Sequence, residues 1–232
     1  MKEMQNKIKE YFRELQFDAQ KHSYEVRGKP LTSVSKTISK YVEKVDFDKI
    51  AGFIAKRDGI TKAEVLAMWA AKRDNSCSQG TIVHSFGENY FKGKQPTNGF
   101  EEAIVKFWDN IPDYIEPFLF ELQMFSETLG IAGTSDIILF NNKTGKFIIA
   151  DYKTNEDLFK NYKGKTLLAP FEDLLDSPYN KYQLQLSMYQ LLFEQCGFEV
   201  ESRRIIWLKP NGTYENFKTE DLTQKLLKEL TK

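Results

Sequence analysis

The sequence predicts a mixed α/β (α+β) fold: a central mixed β-sheet flanked by helices, with an N-terminal helical lobe. Three observations predict it. Up to about residue 111, apolar residues recur mostly at helical spacing between recognisable caps. Pro112 and Pro117 then mark a break, and residues 130–154, GIAGTSDIILFNNKTGKFIIADYKT, read as two apolar strands around a turn-rich NNKTG segment. A helix over 180–195, closed by Gly197, is followed by two more strands at 203–208 and 213–217 around Pro210-Asn211-Gly212. With no internal repeat, the 232 residues form one expected domain: 1–115 mainly helical, 116–217 the core, 218–232 a C-terminal helix.

The elements follow in order. Ile8, Tyr11, Phe12 and Leu15 give residues 2–15 one apolar helical stripe. Residues 17–31 read as a small hairpin turning at Arg27-Gly28-Lys29-Pro30, and Ser33 or Ser35 caps a helix beginning near Val34. A helix over 47–56 precedes Gly59, and Thr61 with Glu64 forms a capping box for the next, 62–73. Residues 75–80 read as a loop, 81–91 as a fourth helix, 93–99 as a second loop and 100–111 as a fifth helix. A strand over 118–125 completes a three-stranded antiparallel unit with the hairpin. Residues 158–177 are charged and irregular, and a capped helix over 219–230 ends the chain.

Composition narrows the function classes. Hydrophobic residues make up 41%, which supports a packed core, and 33 basic against 33 acidic residues weigh against a protein that coats nucleic acid by charge alone. A local basic groove stays open. Cys77 and Cys196 have no metal-ligand spacing and read as free thiols of a reducing, cytoplasmic compartment. The amino terminus is too polar for a signal peptide, and no apolar run reaches the roughly 20 residues of a membrane span.

The chemistry concentrates in the hairpin. If Asn142 and Gly145 flank a two-residue turn, Phe140 faces Phe147 and Asp136 faces Asp151, with Lys153 on the same face as Asp151. An apolar strand rarely carries an aspartate without a partner, because burying a lone charge costs several kcal/mol. A divalent cation is the natural partner of two converging carboxylates.

Asp136, fourteen intervening residues and then Asp151-Tyr152-Lys153 resemble the core of the PD-(D/E)xK nucleases. Gly80-Thr81-Ile82-Val83-His84 and Gln185-Leu186-Ser187-Met188-Tyr189 are similar to the Gly-Thr-x-x-His and Gln-Leu-x-x-Tyr motifs of the RecB-type exonuclease branch. Residues 130–136 resemble the approach to that branch's first Asp, and Glu121 stands where many members place a further acid. The resemblance spans about residues 80–217 and implies a restriction-endonuclease-like core. The outline is similar to that of stand-alone phage or mitochondrial genome-maintenance exonucleases.

It further implies metal-dependent hydrolysis of DNA in recombination, repair or phage DNA metabolism. Mg²⁺ or Mn²⁺, as one or two ions, would be held by His84, Asp136, Asp151 and the Tyr152 carbonyl, with Lys153 positioning the attacking water. Glu88, on the His84 helix face, and Glu121 are assigned to the metal shell or to orienting the imidazole; Glu121 reads equally as a strand charge. Gln185, Tyr189 and Thr154 are assigned to substrate, and Lys160 and Lys163 either to a phosphate track or to a solvated loop. Two cysteines cannot hold an iron–sulfur cluster, and without a Walker motif any helicase, annealing or single-strand-binding partner would be a separate chain. An endonuclease of the same fold and a non-catalytic DNA-binding recombination accessory protein are the competing readings.

Overall fold

The computed structural model describes all 232 residues. Seven α-helices and eight strands form a mixed α/β fold around one central mixed sheet. Helix α1 (Lys2–Tyr11) leads into a meander of β1 (Leu15–Asp18), β2 (Ser23–Val26) and β3 (Lys29–Ser33). The expected hairpin over 17–31 is therefore three strands. The second connection is tight because Arg27 and Gly28 both take positive φ, +49° and +77°. Ser33 then caps α2 (Val34–Ile38), its hydroxyl accepting from the Lys36 N–H.

Helices α3 (Phe47–Asp58) and α4 (Lys62–Asn89) form a helical hairpin with a small core of Ala51, Ala55 and Val65. The Thr61–Glu64 capping box starts α4 as expected. The loop expected over 75–80 is absent. Those residues carry no proline, the side chains of residues 75–78 face solvent, and the Ser76 and Thr81 hydroxyls bond back to the carbonyls of Lys72 and Cys77, so the 28-residue helix runs through.

Helix α5 (Gly99–Asp109) precedes β4 (Ile115–Ser126), β5 (Ile131–Asn141) and β6 (Lys146–Lys153). Antiparallel β4 covers one edge of β5 along its length. On the other edge β6 pairs only with Ile137–Asn141, while β3 pairs in parallel with Ile131 and Ala132. Residues 133–136 of β5 are thus left without a ladder partner between β3 and β6. Helix α6 (Pro178–Glu194), capped by Ser177, crosses back so that β7 (Val200–Leu208) lies parallel to β6, and β8 (Tyr214–Lys218) closes the order β1-β2-β3-β5-β6-β7-β8. Helix α7 (Thr223–Leu230) ends the chain.

Each face of the sheet has its own core. Residues of α1, α2, α6 and α7 share one cluster of 32 buried residues that includes Phe147, Ile149, Leu186 and Met188. Helix α5 and the end of α4 pack on the opposite face through Phe86, Ile104, Phe107, Ile137 and Tyr152. At about 1.5–3 kcal/mol for each fully buried large side chain, these two layers fix the sheet that carries the site.

No helix is long and apolar enough to cross a membrane, and Cys77 and Cys196 are both free.

Candidate active site

The site forms where β5 and β6 part. Phe140 pairs with Phe147 as the turn predicts, around a four-residue loop closed by Gly145 at φ +70°. The ladder ends at Ile137 and Ala150, so Asp136 and Asp151 occupy the next level, where the strands no longer exchange backbone hydrogen bonds. The Tyr152 N–H donates instead to Asp136 Oδ2 at 3.0 Å, which fixes that carboxylate. On β4, the pairs Phe120–Ile137 and Leu122–Ser135 bring Glu121 to the level of Asp136. Three neighbouring strands therefore present one carboxylate each in a row, at the constant spacing of fifteen residues in sequence.

Glu121 adopts φ +48° inside a strand, a conformation that costs a non-glycine residue about 1–3 kcal/mol. Such strain persists only where the surroundings over-determine it.

His84 enters from α4, on the opposite face of the sheet from α6. Its Nδ1 lies 3.1 Å from Asp136 Oδ2 and 3.9 Å from Glu121 Oε1. Ligand atoms of His84, Glu121 and Asp136 all fall within 4.8 Å of one another. Asp151, only 1% exposed, is not in this converging set; its carboxylate contacts the Lys153 ammonium. Of His84, Asp136, Asp151 and the Tyr152 carbonyl, expected around one ion, His84 and Asp136 converge, and Glu121 takes the place beside them that the sequence predicts for Asp151. Tyr152 contributes its main-chain N–H, while its side chain is buried in the α5 core and accepts from Trp108 Nε1 at 2.9 Å.

Charge coupling follows from this crowding. Burial pulls the His84 imidazole down, but the charge and hydrogen bond of Asp136, aided by Asp151, outweigh it and hold His84 at about 9. Burial also raises Asp136, and His84 and Lys153 reverse the sign and keep it below its ordinary value. Asp151 is pushed up to about 6 and Glu121 to about 7, in each case first by burial and then by Asp136. Lys153 is raised, because the Asp151 carboxylate overcomes the cost of burying the ammonium.

Two cavities open on either side of this cluster. One, of about 720 Å³, is lined by His84 and Lys153 together with Lys72, Lys209, Thr154 and Asn155. Lys153 also sits 4.3 Å above the Tyr182 ring, whose hydroxyl donates to Asn155 Oδ1 at 2.8 Å. The other, of about 350 Å³, is lined by Glu121, Gln185 and Tyr189 with residues of the meander. Gln185 Nε2 donates to the Tyr189 hydroxyl at 2.8 Å, and the buried Tyr189 ring packs against Gly133, where a Cβ would lie 2.7 Å from it.

The remaining expectations divide. Thr154 lines the larger cavity, as a substrate contact should. Lys160 and Lys163 line neither cavity; both are exposed, and Lys163 covers the Tyr162 ring at 5.2 Å. Their loop turns away from the site because Leu158, Leu167 and Phe171 anchor it to the core on the α6 face. Glu88 is exposed and makes no contact with His84, though its charge helps raise Glu121. Sequence reasoning missed Lys72, Lys209 and Tyr182. Only Tyr182 had a signal, three residues before Gln185 on the same helix face.

No family model and no curated protein matches the chain. A solved structure described as "Crystal structure of SSO0001" is similar over 85% of this chain and 82% of that one, at 14% identity and a TM-score of 0.30. A superposition that loose defines neither the fold nor the chemistry of this chain.

Proposed function

We propose that the protein is a Mg²⁺- or Mn²⁺-dependent deoxyribonuclease of the PD-(D/E)xK type, acting as an exonuclease on DNA ends or single strands. One observation carries the reading: Glu121, Asp136 and Asp151 at one level of three adjacent strands, with His84 and Lys153 closing on them. The restriction-endonuclease-like description of the sheet belongs to the same proposal.

The donors suit such an ion. Asp151 Oδ2 is buried beside Lys153 without a directed hydrogen bond, and one imidazole with several carboxylates is a set that Mn²⁺ and Mg²⁺ accept. His84, Glu121 and Asp136 would hold the ion, with Asp151 next to it. When bound, the metal supplies Lewis-acid polarisation of the phosphate and a more acidic water. Lys153, held between Asp151 and the Tyr182 ring, offers a fixed ammonium to orient that water and offset charge on the phosphate oxygens. Lys72 and Lys209, paired with Glu156 and Glu215, join Lys153 to give the larger cavity more basic than acidic groups in its lining, which favours a polyanion.

The test is one gel with end-labelled linear duplex, linear single strand and closed circle, each with Mg²⁺, Mn²⁺ or EDTA. Metal-dependent loss of the linear strands, abolished by EDTA, is the expected result. Intact DNA in every lane with saturating Mn²⁺ overturns the proposal.

A further inference from the structure

The two cavities beside the triad differ in charge, and the difference selects what each can hold. The larger is lined by three lysines and one carboxylate, Glu156, which pairs with Lys72 at 3.4 Å. No lysine or arginine lines the smaller one, whose single carboxylate is Glu121. A phosphate placed there would meet no lysine or arginine.

What the smaller cavity offers instead is aromatic and amide surface. Phe17 and Tyr24 stack at 4.7 Å and 29°, and His22 meets the edge of Phe17 at 5.4 Å. The Tyr24 hydroxyl is tied to Thr134 Oγ1 at 3.0 Å, which holds the meander over the unpaired stretch of β5. Gln123 lies two residues beyond Glu121 on the same face of β4, with no partner for its amide within the protein. Ser33 and Ser35 line the end formed by the junction of β3 and α2, where β3 pairs with β5. Rings with amides and hydroxyls of both hydrogen-bonding senses suit the face and edge of a nucleobase. A volume of about 350 Å³ is at the lower end for a small-molecule site, room for one nucleoside and not for a continuing strand.

We infer that this cavity receives the terminal nucleoside of a DNA strand whose phosphates run through the lysine-lined cavity, so that cleavage starts from an end. This rests on the nuclease reading above. The base lies against Phe17 and Tyr24, with Gln123 and the two serines at its edge, and no lysine or arginine there holds a further phosphate.

The experiment has two arms. In saturation-transfer NMR with deoxyadenosine and thymidine in Ca²⁺, base protons receive saturation from the wild type, and binding weakens about tenfold in Phe17→Ala and in Gln123→Leu. Mn²⁺ affinity stays the same in both variants, and excess inorganic phosphate does not displace the base signal. Unchanged base binding in both variants, or its loss to phosphate, overturns the inference. In the second arm, closed circular single strands resist under conditions that consume linear ones. Equal cleavage of circles overturns the end pocket and leaves the nuclease reading standing. Absence of any cleavage overturns the nuclease reading, and the NMR arm then decides the pocket by itself.

Discussion

His84 Nδ1 stands 3.1 Å from Asp136 Oδ2, and the same oxygen accepts the Tyr152 N–H. One carboxylate thus sets the imidazole's charge and couples α4 to β6. In Asp136→Asn the largest force raising His84 is gone and burial remains, so its pKa falls from about 9 to below the ordinary 6.5. The His84 ring protons, followed by NMR against pH, report this directly.

A metal must displace protons from this cluster. At pH 7 His84, at about 9, carries a full proton, Glu121, at about 7, half of one, and Asp151, at about 6, about a tenth. Calorimetry of Mn²⁺ binding in buffers of different ionisation enthalpy should give release of roughly one and a half protons. The folded values of Asp151 and Glu121 lie above their ordinary ones. Their contribution to metal-free stability is therefore present below about pH 4 and lost as pH rises through about 6 and 7. The rise in melting temperature on adding Mn²⁺ grows accordingly between pH 5.5 and 8.

Asp151 is buried against the half-buried Lys153, and removing Lys153 leaves the carboxylate without its nearest cation. Asp151→Ala and Lys153→Ala should each lower cleavage by about 10²–10⁴-fold while DNA binding largely survives. Binding measured by anisotropy in Ca²⁺ separates the two effects. Robust cleavage by either variant removes the proposed chemistry.

Two glycines of α4 have opposite roles. A Cβ on Gly80 meets nothing within 4 Å, so Gly80→Ala gains about 0.5–1 kcal/mol of helix stability. A Cβ on Gly87 would lie 2.5 Å from Tyr152 Cε2. Gly87→Ala must move the ring whose backbone N–H holds Asp136, so it lowers the melting temperature and weakens Mn²⁺ binding. Thermal denaturation of the two variants with and without Mn²⁺ checks both signs.

How legible this was depended on the range of the signal. The hairpin register could be read because Asn142 to Gly145 is a local turn and the alternation is strict, and that register alone brings Asp136 level with Asp151. The single helix α4 could not. Asn75, Ser76 and Gly80 are weak helix formers, yet nothing among them blocks a helix that is capped at its start and packed at its end. Lys72 and Lys209 come to the site from elements 137 residues apart, and no spacing rule joins them. Lys160 and Lys163 drew attention by clustering, which a solvated loop produces equally well.

Glu121 shows the cost of assembling the site. It combines a strained φ of +48° with a pKa raised to about 7, first by burial and then by Asp136. Above pH 7 the metal-free protein must hold both charges close together. Glu121→Gln removes the repulsion and leaves the backbone strain, and Glu121→Gly relieves both. At pH 8 the glutamine variant should gain about 1 kcal/mol, kept low because the side chain is partly solvent-screened, or about 2–4 °C in melting temperature. The glycine variant should gain at least as much. Both should bind Mn²⁺ at least tenfold more weakly, so that a saturating metal reverses the order of stability. Melting curves across a Mn²⁺ titration decide it: a Glu121→Gln protein that keeps wild-type metal affinity would remove Glu121 from the ligand set and leave its strained backbone without a function.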